Sequence, residues 1–400
     1  MRSASSAGVR AWQWLVAVLC ALAVAGCGGG GGGSSSPGSV AQNVVPIIVD
    51  AGPANTVNVP FVSVTICAPG TGNCQTIDHI IVDTGSTGLR IMSSVLDTAL
   101  ASALPQQTTG SGSPLVECTQ FADGYSWGPV KAADLRLGGE SVNSLALQVI
   151  GDPGFSNVPS DCSSSGPAEN TPQTFGGNGI LGVAVFQHDC GPLCAQAALP
   201  GTYYACAGAA CQPIAVDLTH QVQNPVGLLA SDNNGVVVDL PAVAATGAAT
   251  ASGSLLLGIG TQANNGLGNA VVFALNANDG TLTTVYNGQS YPGSFIDSGS
   301  NGLFFPDATM TVCSSGFFCP AAPQQLTATN LGTNGSSGTV NFSVANADSL
   351  LATGYAAFDN LAAPSSPPFD WGLPFFFGRR VYTAIEGKST PGGSGPYVAY

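Results

Sequence analysis

The chain has 400 residues and a formal net charge of −14; only 8% of its residues are charged and 44% are hydrophobic. That balance excludes a phosphate-gripping nucleic-acid binder, which needs clustered Lys and Arg, and the apolar content is high enough to build a core rather than leave a disordered chain. Glu occurs only at positions 117, 140, 169 and 386, so helices lack one of their usual formers and strands with many turns are expected.

The first element is a targeting segment. Arg2 and Arg10 precede the apolar run Ala11–Ala25, and Val24-Ala25-Gly26-Cys27 closes it. A charged start, a short apolar run and a small-residue site predict a signal peptide over residues 1–26 with a lipobox-like end. The run is short for a membrane span, which argues against a single transmembrane helix. Cleavage would leave acyl chains on Cys27, and residues 27–40, with GGGGGGSSSPGS, would form a flexible tether. Gly28, rather than Asp, follows that cysteine. By resemblance to bacterial lipoproteins, this implies export to the outer membrane, on its periplasmic or its surface face, with the membrane as a partner through the lipid anchor. Without Arg2 and Arg10 the remaining cations are Arg90, Lys131, Arg136, Arg379, Arg380 and Lys388, so no nucleic-acid partner is expected.

Past the tether, short apolar runs alternate with turn signals. PIIVD, FVSVTIC, HIIVD, LALQVI, GVVVDL, GSLLLGIG, AVVFAL and TLTTVY all read as strands. Helical spacing is confined to Ser93–Leu104 and Ala345–Thr353. The fold class is mostly β. Cys20 and Cys27 belong to the targeting region. The other cysteines form an even set, which in an exported chain reads as disulfides. Sequential pairing is expected: Cys67–Cys74, Cys118–Cys162, Cys190–Cys194, Cys206–Cys211 and Cys313–Cys319, with other pairings open within the 190/194/206/211 group. His188 beside Cys190 and Cys194 suggests a metal site, but oxidised cysteines are the expected state, so neither a metal nor another cofactor is expected.

One device occurs twice. Ile80–Leu89 reads IIVDTGSTGL and Ser294–Leu303 reads SFIDSGSNGL. Aligning Val82–Leu89 with Ile296–Leu303 gives identity at the Asp, both glycines, the Ser and the Leu. A strand end among apolar residues is a costly place for a carboxylate. Two such carboxyls brought together would share one proton, so that one acts as base and the other as acid on a water molecule. Gly85 and Gly299 let the backbone come close, Thr84 and Ser298 supply hydroxyls to lock the loops, and Ser86 and Ser300 can hydrogen-bond the carboxylates. The repeat divides the chain into residues 41–225 and 226–400, with a seam near Gln221–Gly235.

These residues resemble the pepsin-like, two-lobed aspartic protease family. NGILGV (Asn178–Val183) is similar to the strand that supports the catalytic loop in that family's first lobe. DWGLPFFFGRRVY (Asp370–Tyr382) takes the same place in the second lobe, with departures. GSLLLGIGTQANNG (Gly253–Gly266) resembles the start of the second lobe, and FADGYSWGPVKAADLRLGG (Phe121–Gly139) fits the flap hairpin. The resemblance spans about residues 55–400. It implies a mostly β protein with two pepsin-like β-lobes and an active-site cleft between them. It further implies Asp83 and Asp297 as catalytic residues, Phe121 and Tyr125 in the flap, and an extended polypeptide substrate. The family's flap Tyr and its Trp partner are replaced by Phe121 and Arg90, and Tyr125 or Trp127 could stand in for them.

The reading is a lipid-anchored aspartic endopeptidase. Two alternatives are carried: a non-catalytic binding or cell-surface lipoprotein on the same scaffold, and a serine hydrolase using Ser126 of GYSWG with His188 and His220 downstream. That elbow requires a strand-to-helix turn. GNGILG (Gly177–Gly182) matches a dinucleotide fingerprint in spacing, but lacks the flanking strand and helix.

Overall fold

A computed structural model describes residues 42–366 and 368–400. The expected signal peptide, Cys27 and the tether lie outside the described residues. The first strands are β1 Val44–Asp50, β2 Val59–Cys67, β3 Cys74–Asp83 and β4 Thr87–Met92. The hairpin β5 Leu115–Gln120 and β6 Tyr125–Leu137 follows, then β7 Glu140–Ile150 and β8 Gly179–Val183. A second hairpin joins β9 Tyr203–Ala207 and β10 Ala210–Pro213. Next come β11 Gly235–Leu240, β12 Ala251–Leu257, β13 Val272–Ala274, β14 Leu282–Tyr286, β15 Gln289–Ile296 and β16 Leu303–Phe305. The chain ends with β17 Gln324–Leu331, β18 Ser337–Val344, β19 Ala362–Pro364, β20 Asp370–Trp371, β21 Arg379–Ala384, β22 Ser389–Thr390, β23 Gly393–Ser394 and β24 Tyr397–Ala399.

The fold is mostly β. Among the described residues a fifteen-stranded sheet runs β10-β9-β5-β6-β7-β4-β8-β3-β2-β1-β12-β11-β21-β24-β13, and a seven-stranded sheet runs β18-β17-β14-β15-β20-β16-β19; β22 pairs with β23 alone. Every expected strand is present. Helix is shorter than the spacing predicts. Within Ser93–Leu104 only Thr98–Ala103 is α-helical, started by Asp97, whose side chain accepts from the Leu100 N–H. Within Ala345–Thr353 the helix is Ala347–Leu351, capped by Asn346. No helix among the described residues is long and apolar enough to cross a membrane.

Strand β1 shows how the large sheet joins the two repeats. Val45, Ile47 and Val49 are buried, as alternation requires. The strand pairs with β12 over Val44–Val49, but with β2 only over Ile48–Asp50. Pro46, which has no N–H to give, falls where β1 lacks a β2 neighbour. The expected seam contains a short 3-10 turn at Val226–Leu228, and β11 and β12 beyond it complete the sheet begun by β1 and β2.

The two Asp-containing segments are framed alike. Strand β8 lies parallel to β3, with Val82 opposite Leu181, and antiparallel to β4, with Leu89 opposite Leu181. Strand β20 lies parallel to β15, with Ile296 opposite Trp371, and antiparallel to β16, with Leu303 opposite Trp371. Leu181 and Trp371 are both fully buried. The larger Trp371 fills an aromatic core with Phe342, Phe369 and Phe375, and its indole N–H donates to Thr284 Oγ1 and Asn330 Oδ1, each at 3.1 Å.

The five sequential cysteine pairs are all present. Cys190 bonds Cys194, so a site with His188 would lack both thiolates. His79, in the strand before Asp83, packs edge-on against Phe61 and reaches Asp50 Oδ2 at 3.4 Å.

Candidate active site

Strands β3 and β15 deliver Asp83 and Asp297 to one place. Ile80, Val82 and Ile296 anchor the strand ends in the core. A Cβ on Gly85 would stand 2.7 Å from Asp297 Cγ, and one on Gly299 would stand 2.6 Å from Asp83 Oδ1. Only glycine permits either approach. Each Asp accepts a hydrogen bond from the glycine two residues on: Gly85 N–H to Asp83 Oδ1 at 2.7 Å and Gly299 N–H to Asp297 Oδ1 at 2.8 Å. The same Gly299 Cβ would also stand 3.2 Å from Asp297 Oδ1, so the two carboxyls face one another at this glycine.

The loops are locked by reciprocal hydroxyls. Thr84 N–H donates to Ser298 Oγ at 3.1 Å, and Ser298 N–H donates to Thr84 Oγ1 at 2.9 Å. Thr84 Oγ1 donates onward to the Ile296 carbonyl and Ser298 Oγ to the Val82 carbonyl. The roles expected of the two outer serines separate here. Ser300 Oγ donates to Asp297 Oδ2 at 2.8 Å. Ser86 Oγ is buried and makes no hydrogen bond among the described residues, so the Gly85 N–H, and not Ser86, orients Asp83.

Burial, the charge of Asp83 and that of Asp370 hold the Asp297 carboxyl well above its ordinary range, against a lowering by the Ser300 hydroxyl. Asp370 is the residue that the sequence reading missed. It sits on β20 opposite Phe295, one of its oxygens is buried without a partner, and burial pushes it up to about 7, with a hydrogen bond from Ser300 opposing and Asp83 reinforcing. A carboxyl in the apolar slot of DWG was the available signal.

A cavity of about 630 Å³ opens onto Asp83 and Asp297. Phe121, at the turn of the β5–β6 hairpin, lines it and packs edge-on against Phe175. Tyr125 does not line it. In the ladder Cys118 faces Trp127, and Tyr125 and Trp127 pack on the same side with Cys118, Cys162 and Tyr204. Both rings are taken up by that cluster and neither lines the cavity, so neither stands in for the flap Tyr. Ser126, on the opposite face near the start of β6, is fully buried and donates to Gln148 Oε1 at 3.0 Å. It has no strand-to-helix turn and, among the described residues, no histidine partner, which removes the serine-hydrolase alternative.

Arg90 has its own partners in place of the expected aromatic pair. It is 1% exposed, and its guanidinium donates to Thr119 Oγ1, the Thr87 carbonyl and Glu117 Oε1 at 2.8, 2.7 and 2.6 Å.

The site is thus a pair of facing carboxyls on a β framework. The chain belongs to the family described as protein of unknown function (DUF3443), whose model matches residues 39–400. No curated protein matches it.

Proposed function

We propose that this protein is an aspartic endopeptidase built from two pepsin-like lobes, with the cleft between them holding an extended polypeptide. The observation that carries the reading is the mutual approach of Asp83 and Asp297, each behind a glycine that only the other's carboxyl explains.

The chemistry needs no cofactor. A water molecule between the carboxyls gives a proton to the ionised one while its oxygen attacks the peptide carbonyl carbon. The protonated carboxyl gives its proton to the carbonyl oxygen, and a neutral gem-diol results. Collapse returns a proton from a diol hydroxyl to a carboxylate, and the other carboxyl protonates the departing amide nitrogen. The C–N bond breaks, leaving an acid and an amine. Proton sharing belongs to the pair, so base and acid are not assigned to single residues. Phe121 in the flap covers the substrate, and Thr84 and Ser298 keep the carboxyls in register.

The same reading includes a lipid anchor at Cys27, which by resemblance to bacterial lipoproteins would set the activity at the outer membrane. The test is cleavage of a mixed peptide library from acid to neutral pH by the full chain, beside Asp83→Asn and Asp297→Asn. Cleavage by the wild type alone is expected. A folded wild type that cleaves nothing across that range replaces this reading with that of a binding lipoprotein.

A further inference from the structure

Beyond the two aspartates the cavity reaches a second polar group that peptide hydrolysis does not require. Arg90, Glu117, Thr119, Asp189 and Tyr203 line this part. The Arg90 guanidinium faces two carboxyls: Nη2 donates to Glu117 Oε1 at 2.6 Å and to Asp189 Oδ2 at 3.3 Å. The Tyr203 hydroxyl lies 2.8 Å from both Asp189 oxygens and accepts from the Val222 N–H at 2.8 Å, which fixes where Asp189 points.

A structural ion pair would need Arg90 and one carboxylate. Here a second carboxyl is added, and the group is left short of donors. Glu117 is 1% exposed, yet its Oε2 receives no hydrogen bond among the described residues. Asp189 keeps 13% of its side chain exposed where it lines the cavity. With both carboxyls ionised, one buried cation faces two anions, an imbalance that is costly at low dielectric. Burial and the adjacent Glu117 push the Asp189 carboxyl well above its ordinary range, so a proton on Asp189 relieves the imbalance. A second cation arriving from the cavity would relieve it without that proton, giving two cations and two carboxylates. Phe121, Phe186 and Leu275 line the same cavity and suit the aliphatic stem of such a group.

We propose that this cluster is a specificity subsite for a basic side chain, Lys or Arg, of the peptide held at Asp83 and Asp297, with Asp189 as its acceptor. The proposal rests on the endopeptidase reading for its substrate, and its test separates the two.

Peptides identical except for Lys or norleucine at each position around the cleaved bond are given to the full chain and to Asp189→Asn. At one position the wild type is expected to favour Lys in kcat/KM by about tenfold or more, the scale of a buried charged contact. In Asp189→Asn that ratio collapses toward one. Equal use of Lys and norleucine at every position overturns the subsite, as does a Lys preference that survives Asp189→Asn. A wild-type control independent of the variant is n-butylammonium, which should compete with the Lys peptide and leave the norleucine peptide unaffected. If no peptide is cleaved, fluorescence anisotropy reads binding of the same peptides. Preferential binding of Lys that Asp189→Asn abolishes upholds the subsite while the peptidase reading falls. No preference in binding overturns the subsite as well.

Discussion

Asp370 holds, on β20, the strand position that Ile180 holds on β8: Ile180 lies opposite Ile81 and Asp370 opposite Phe295, each one residue before the large buried side chain between the strands that flank the Asp loop. An apolar support in one half is a carboxyl in the other. Its negative charge raises Asp297, so removing it makes the shared proton easier to lose. Asp370→Ile is therefore expected to move the alkaline limb of the pH–kcat/KM profile to lower pH. A limb that stays in place would show that Asp370 does not act on the pair.

The close approach of each glycine to the opposite carboxyl gives a sharper test than charge removal. Gly85→Ala and Gly299→Ala should each force the facing Asp aside, since their Cβ atoms would fall 2.7 and 2.6 Å from its atoms. Displacement of about 1 Å at a catalytic group costs on the order of 100-fold in rate. The expected result is a loss of kcat of that size, measured on variants whose circular dichroism matches the wild type.

Ser298→Ala breaks the lock between loops. It removes the acceptor of the Thr84 N–H and the donor to the Val82 carbonyl, in surroundings where Ser298 is fully buried. Leaving buried groups unpaired costs about 1–3 kcal/mol each. Urea unfolding should show a loss in that range, together with lower activity. Thr84→Val, which removes the partner hydroxyl, should behave alike.

Arg90→Leu tests the buried charge group by stability. It strands Glu117 and Asp189 without their cation, and breaking a buried pair by removing one partner costs about 3–5 kcal/mol. Arg90→Leu combined with Glu117→Gln should recover part of that loss, read by the same unfolding experiment.

The turn of the β5–β6 hairpin carries a pH dependence of its own. Glu169 is 7% exposed; its N–H donates to the Tyr125 carbonyl, and the Tyr125 N–H donates to the Pro167 carbonyl. Burial, then the charge of Asp123 at the turn, pushes Glu169 up to about 8 from an ordinary 4.5. The folded state therefore holds this proton between those values while the unfolded chain has released it. Folding stability should be complete below about 4.5, fall as pH rises through the window, and level off above about 8. Chemical denaturation across that range should show the fall, and Glu169→Gln should flatten it.

The sequence carried the two carboxyls because both halves spell the same device, and local spelling is all that Asp83, Thr84, Gly85 and their counterparts require. Strand identity was legible for the same reason: β1 and β11 alternate or run apolar over short windows. What could not be read was partnership at a distance. Arg90 in TGLRIM stands at the position of the family's Trp, and nothing local shows that it is buried against carboxyls, because those partners stand 27 and 99 residues away. Tyr125 does not reach the cavity because its ring is taken up by the cluster of Trp127, Cys162 and Tyr204, a partnership that distance from the turn does not show. Ser86 and Ser300 are identical in the motif, and only the surrounding atoms separate a serine that holds a carboxylate from one that does not.

The cysteine pattern has a consequence for how the molecule is made. Each disulfide joins a described cysteine to the next one along the chain, at separations of 7, 44, 4, 5 and 6 residues. A polypeptide threaded through a translocation pore N-terminus first would meet the proper partner of every waiting thiol before any wrong one arrived. For the exported lipoprotein proposed above, oxidation in order of emergence produces the native set without reshuffling, and maturation then calls for a thiol oxidant but not for a disulfide isomerase.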